Sequence, residues 1–213
     1  IGIERAKGLW LYGNDGKKYA DVISSWWCNL LGHCNDRLNS AVKKQIDLFE
    51  HVIFANFTHE PAVELCERLS LKVPAGLSKF FFTDNGSSAI EASMKMSFQY
   101  HLQTNNPQKK RFMSLSDGYH GETLGALALG GVDLYSEMYK PLMLDVIHVK
   151  APDCFRCPYS MTRDKCDVRC FEEAERAFAE YGDETAAFFA EPLLQGAGGM
   201  KIYPPIYLKK IRK

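Results

Sequence analysis

The sequence has no net charge, no long apolar run and no internal repeat. Its 26 Lys and Arg balance 26 Asp and Glu, so the chain carries no broad field with which to hold nucleic acid or an anionic membrane. No stretch approaches the ~20 consecutive apolar residues that a membrane-crossing helix needs. A secretory leader is not recognisable, although Ile1 is not a natural start and the beginning of the protein is expected upstream. Low-complexity tracts are also missing. Cysteines number seven, an odd count and a poor basis for a disulfide framework, so a reducing compartment, the cytoplasm, is expected. Cys28, Cys34 and Cys66 stand among apolar or helical residues and read as buried thiols. The remainder, 46% hydrophobic and 24% charged over 213 residues, is ordinary globular composition, sufficient for one large core or two smaller ones.

Residues 8–27, GLWLYGNDGKKYADVISSWW, read as a β-hairpin turning at Asn14-Asp15-Gly16. If its second strand persists to the end, one of the adjacent Trp26 and Trp27 faces the core and the other is free to face a pocket. Helical spacing follows in residues 36–52, with Leu38, Val42, Ile46 and Phe49 on one face. A second helix starts near Pro61, which suits a first turn. Strands are then expected at Lys79–Thr83, over 111–117, over 145–152 and over 185–193, with helices at Ser87–Leu102 and Phe171–Tyr181 between them. Strand and helix thus alternate, and the strands are continuously apolar, the pattern of a mostly parallel sheet covered on both faces.

Ligands in such sheets lie beyond the carboxyl ends of the strands, and the polar motifs all follow strands. Asn85-Gly86-Ser87-Ser88 opens a helix; it is either a plain cap or an anion site made of free N–H groups at a helix start. In Gly118-Tyr119-His120-Gly121 an aromatic stands between glycines, fit to lie on a planar ligand or simply to pack on its neighbours. His120 reads as a structural hydrogen-bonder rather than a base. Glu191 ends an apolar strand and needs a partner: it caps neighbouring backbone, pairs with a Lys or Arg, or orients a group near a cofactor. Gln195-Gly196-Ala197-Gly198-Gly199 follows it. Three unusual turns at one sheet edge favour a shared pocket, and with it the anion site at Gly86-Ser87. Separately, Cys154-x2-Cys157 and Cys166-x3-Cys170 suit a structural zinc held by four thiolates, with a disulfide or free thiols as the alternatives.

Taken in order, these segments resemble the class III, fold-type I aminotransferases, which use pyridoxal phosphate. The resemblance runs over essentially the whole chain. It is carried by Ser25-Trp26-Trp27, His51-Val52-Ile53-Phe54 with Thr58-His59, Gly86-Ser87, Met94-Lys95-Met96, Gly118 to Gly121, and Glu191-Pro192 through Gln195 to Met200. The paired tryptophans and the Gln-Gly-Ala-Gly-Gly-Met run are its most specific parts. They are most similar to the biotin-pathway subgroup, which moves an amino group from S-adenosylmethionine or lysine to 8-amino-7-oxononanoate. Class members that accept 2-oxoglutarate resemble Gln-Gly-Glu-Ala-Gly in the last motif; Ala197 stands here instead.

The resemblance implies an α/β fold of type I, with residues 1–55 as part of a small N-terminal domain and 56–213 as part of the large cofactor-binding domain. It implies that Gly86 and Ser87 hold the cofactor phosphate, that Tyr119 lies against the pyridine ring, and that Glu191 sits near that ring. Trp26, Trp27 and Tyr119 would line the substrate pocket of a homodimer whose active sites lie at the subunit interface. The family's Schiff-base lysine and its ring-pairing aspartate are expected downstream of Lys213, so these residues alone are expected to be inactive. Lys79 follows a serine, as that lysine does, but no glycine stands at the family spacing after it. Two alternatives stay open: another class III ω-amino-acid aminotransferase, and a noncatalytic chain that keeps only the cofactor cradle and dimer surface.

Overall fold

Asn14-Asp15-Gly16 reverses the chain because Asp15 holds the turn from within: its carboxylate accepts the Lys17 N–H (3.0 Å) and the Tyr19 hydroxyl (2.5 Å). In the computed structural model, which describes residues 1–213 (the side chain of Arg163 aside), this hairpin belongs to the first of two units, Ile1–Phe80 and Phe81–Lys213.

In the first unit, β1 (Ile3–Lys7), β2 (Trp10–Gly13) and β3 (Lys18–Ala20) form an antiparallel sheet in chain order. The expected second strand does not reach the tryptophans. β3 stops at Ala20, and Ser24 to Trp27 form a left-handed turn, α1 (Ser24–Trp27), with φ of 50°, 47°, 62° and 69°. An L-residue in this region costs about 1–2 kcal/mol, so something must hold it. Asp21 does so by accepting the Ser25 N–H (2.9 Å) and hydroxyl (2.6 Å) while also bonding the His33 ring (2.7 Å).

Asn35 caps α2 (Asp36–Ile46) by accepting the N–H groups of Arg37 and Leu38. The helix is shorter than its apolar spacing predicts. The N–H groups of Leu48 and Phe49 both fold back on the Gln45 carbonyl (3.0 Å each), and Phe49 lies beyond its end. α3 (Glu60–Ser70) has the predicted proline in its first turn and a His59 ring cap. Cys28 and Cys34 are exposed and Cys66 half-buried, contrary to their reading as buried thiols. Among the described residues, neither of the two apolar clusters includes residues of this unit.

Residues 79–83, which span the end of the first unit and the start of the second, are not the expected strand: they have no ladder partner among the described residues. Then come α4 (Gly86–Gln103), β4 (Arg111–Leu115), α5 (Leu124–Leu129), α6 (Asp133–Ser136), β5 (Val146–Val149), α7 (Glu172–Tyr181), β6 (Thr185–Phe189), β7 (Leu194–Gln195), β8 (Lys201–Ile202) and α8 (Pro205–Ile211). The three longer strands form a parallel sheet ordered β5-β4-β6, with β7 and β8 a small antiparallel pair. Central β4 is buried from Phe112 to Leu115, and alternate residues serve two clusters. Phe112 packs with Met94 of α4 and Leu129 of α5, while Leu115 packs with Val149, Phe171, Tyr203 and Tyr207. The sheet is therefore covered on both faces, as its continuous apolar strands predict. Among the described residues no helix is long and apolar enough to cross a membrane.

Candidate active site

Parallel β4 and β6 end side by side, and the two loops that leave them are tied together. Glu191, two residues past β6, directs both carboxylate oxygens at backbone: Oε1 accepts the Tyr119 N–H (2.9 Å) and Oε2 the Gly196 N–H (3.0 Å). The geometry thus shows Glu191 capping neighbouring backbone. The hydroxyl of Tyr203 donates in turn to the Glu191 carbonyl. The glycine-rich loop is braced against the loop after β4 at further points. Gln195, fully buried, donates to the Ser116 carbonyl (2.8 Å), and Lys201 pairs with Asp117 (2.6 Å). A Cβ on Gly198 would stand 2.0 Å from the Asp117 carbonyl oxygen, so glycine permits this approach.

The other wall is the start of α4. Asn85 caps it by accepting the Ser88 N–H (2.8 Å), which leaves the N–H groups of Gly86 and Ser87 at the open end of an 18-residue helix. Space beside Gly86 is clear, with nothing within 4 Å of where a Cβ would stand. The Ser87 hydroxyl oxygen accepts the Glu122 N–H (3.2 Å), and its own proton remains to be donated. Gly121, at φ 130°, passes so close that a Cβ there would lie 2.1 Å from Ser87 Oγ. The cradle and the aromatic loop therefore meet at Ser87. Tyr119 stands on that loop with its ring edge toward Tyr135, 6.0 Å between centroids. Burial first, then the Glu122 carboxylate, raises its hydroxyl pKa above the ordinary value. His120 next to it is held below the ordinary imidazole value by burial. It is edge-on to Phe189, and no described residue pairs with its Nε2.

These contacts unite Gly86, Ser87, Tyr119 and Glu191 in one site of the second unit. Trp26 and Trp27 belong to the first unit, where they stack on each other at 6.4 Å and are 74% and 54% exposed. The zinc expectation is not supported. Cys154, Cys157, Cys166 and Cys170 line one wall of a cavity of about 270 Å³, yet among the described residues no group of three or more His, Cys, Asp or Glu is disposed to hold a metal ion. The two pairs have separate anchors. The first is tied to β8 through the Cys154 N–H and the Ile202 carbonyl (3.3 Å), the second by Val168 and Phe171 in the core. Burial, then the neighbouring thiols, push Cys170 up to about 11, so it stays protonated at neutral pH.

The sequence reading missed Asp117, Lys201 and Glu91. Glu91 lies one turn after Ser87 on the same helix face, a spacing that could have marked it. Its Oε1 accepts Thr123 Oγ1 (2.6 Å) and the Gly125 N–H (2.9 Å).

The family description Aminotransferase class-III matches residues 1–213. The chain belongs to the class-III aminotransferases. Relatives named adenosylmethionine-8-amino-7-oxononanoate aminotransferase include one from Geobacter sulfurreducens, 41% identical over 99% of this chain and 47% of its own length. Another, from Helicobacter pylori, is 41% identical over 99% of this chain and 46% of its own length. The chain thus spans about half the length of these relatives. Among solved structures, the enzyme of the same name from Methanocaldococcus jannaschii superposes with a TM-score of 0.86 at 31% identity, over 98% of this chain and 45% of the other. An omega transaminase from Pseudomonas jessenii, in complex with PMP, gives 0.87 at 32% identity, over 99% and 47%. The fold is accordingly that of the fold-type I enzymes, whose class-III members use pyridoxal phosphate. The residues present fit that group. Open N–H donors at a helix start, an uncrowded glycine and a serine hydroxyl match a phosphate, and an aromatic on the facing loop matches a planar ring.

Proposed function

We propose that the full-length protein is a pyridoxal-phosphate aminotransferase of biotin biosynthesis, moving an amino group from S-adenosylmethionine or lysine to 8-amino-7-oxononanoate to give 7,8-diaminononanoate. The observation that carries the reading is the Glu191 bracket, which holds the Tyr119 loop against the glycine-rich loop beside the open start of α4. When bound, the cofactor supplies the electron sink for transamination and carries nitrogen from donor to acceptor. This chain's residues bind and orient it. The N–H groups of Gly86 and Ser87 and the Ser87 hydroxyl hold the phosphate. Tyr119 lies on the ring, and Glu191 fixes the two loops beside that ring. Trp26 and Trp27 line the substrate pocket.

In this reading the enzyme is a cytoplasmic homodimer with its active sites at the subunit interface. Residues 1–55 contribute to a small domain and 56–213 to the large one. The names of the relatives support the substrate. A second reading, another ω-amino-acid aminotransferase, is favoured by the likeness to the Pseudomonas jessenii omega transaminase. Turnover assays on the full-length protein separate the two. Formation of 7,8-diaminononanoate from 8-amino-7-oxononanoate, with S-adenosylmethionine or lysine as donor, is expected. Transfer from 4-aminobutyrate or ornithine to 2-oxoglutarate, without use of that ketone, would favour the second reading.

A further inference from the structure

The segment that follows the aromatic loop is fastened to α4 by one carboxylate. Oε1 of Glu91 accepts Thr123 Oγ1 (2.6 Å), the Gly125 N–H (2.9 Å) and the Ala126 N–H (3.1 Å). These donors form the start of α5, whose own N-cap residue, Thr123, makes no capping bond. A side chain from another helix therefore satisfies the free N–H groups there. Gly125 is buried, and a Cβ on it would stand 2.3 Å from Glu91 Oε2, so the carboxylate occupies the space a side chain would take. Among the described residues, the one other hydrogen bond between this loop and α4 is the longer Glu122–Ser87 contact at 3.2 Å.

The position of Glu91 gives this clamp a consequence for binding. α4 carries Gly86 and Ser87 at its open end, and the loop clamped to it carries Tyr119. A ligand gripped at its phosphate by one and at its ring by the other binds well only when their separation is fixed before it arrives. We propose that Glu91 is a positioning residue that sets the separation between the phosphate cradle and the ring-bearing Tyr119. The proposal rests on the cofactor reading given above. It distinguishes a ligand held at two points, pyridoxal phosphate, from one held at a single point, inorganic phosphate.

The test uses the full-length protein and its Glu91→Ala, Glu91→Gln and Gly125→Ala variants. Three quantities are measured: affinity for pyridoxal phosphate, affinity for inorganic phosphate, and hydrogen exchange of the Gly125 and Ala126 amides without cofactor. Loss of three bonds to an ionised acceptor is expected to weaken pyridoxal-phosphate binding about tenfold in Glu91→Ala and to speed exchange at least as much. Inorganic phosphate affinity is expected to stay within about twofold, because the cradle itself is untouched. Gly125→Ala, which displaces the carboxylate, should behave like Glu91→Ala. Glu91→Gln keeps an oxygen able to accept the same bonds and should stay within about threefold of the unvaried protein. Unchanged pyridoxal-phosphate affinity in both Glu91→Ala and Gly125→Ala would overturn the proposal. So would equal weakening toward both ligands, the result of a merely structural role. An unvaried protein that binds neither ligand overturns the cofactor reading and the proposal with it; a failure of Glu91 alone leaves unvaried binding intact.

Discussion

Glu191 joins backbone 72 residues away, at Tyr119, to backbone five residues away, at Gly196. Hydrogen bonds to an ionised acceptor are worth more than neutral ones, and removing the acceptor leaves the N–H groups unpaired. Glu191→Leu is therefore expected to destabilise the full-length protein by roughly 2 kcal/mol and to weaken pyridoxal-phosphate binding as the Tyr119 loop loosens. Chemical denaturation and a cofactor titration check both; unchanged values in each would remove Glu191 from its bracketing role. That Glu191 needs a partner is legible from an acid at the end of an apolar strand. Its partners are not, because backbone donors carry no side-chain signature and Tyr119 is remote in sequence. Ser87 shows the converse. A serine after glycine at a helix start is legible as an anion-binding candidate, yet its contact with the Glu122 N–H depends on how closely Gly121 passes.

Elements were legible where local chemistry decides them. Asn85 marks the start of α4, and Pro61 sits in the first turn of α3. They were illegible where distant pairing decides. The segment 79–83 has the apolar residues of a strand but no ladder partner among the described residues. The Ser24–Trp27 turn runs against propensity at four successive residues and depends on a single carboxylate. Hydrogen bonds from Ser25, and then His33, hold the Asp21 pKa down from 3.8 to about 2. A carboxyl whose pKa is depressed by folding stabilises the turn fully above its unfolded value and loses that contribution as pH falls through the folded one. The turn should therefore weaken as pH drops from about 4 toward 2. Tryptophan emission from Trp26 and Trp27 is expected to shift across that window and to show no such step in Asp21→Asn. An identical acid titration in the variant would assign the change elsewhere.

At the scale of the whole molecule, composition indicated a globular protein and the order of elements indicated the fold, but the distribution of burial could not be read from either. Both apolar clusters lie in the second unit, while Leu38, Val42 and Ile46 on α2 of the first are 49%, 57% and 54% exposed. Exposed apolar faces of this kind bind hydrophobic dyes and associate. The 213-residue chain alone is expected to bind such a dye strongly and the full-length protein much less; equal dye binding by both would show that the remaining half does not cover these faces. The joint role of α4 and the Tyr119 loop in holding pyridoxal phosphate is tested most directly by one equilibrium titration of the full-length protein, comparing the unvaried chain with Ser87→Asp. The introduced carboxylate would face the phosphate at the helix start, and a loss of affinity of about tenfold or more is expected from charge repulsion at that range. Equal affinity in the two proteins would contradict the assignment of the phosphate to Gly86 and Ser87.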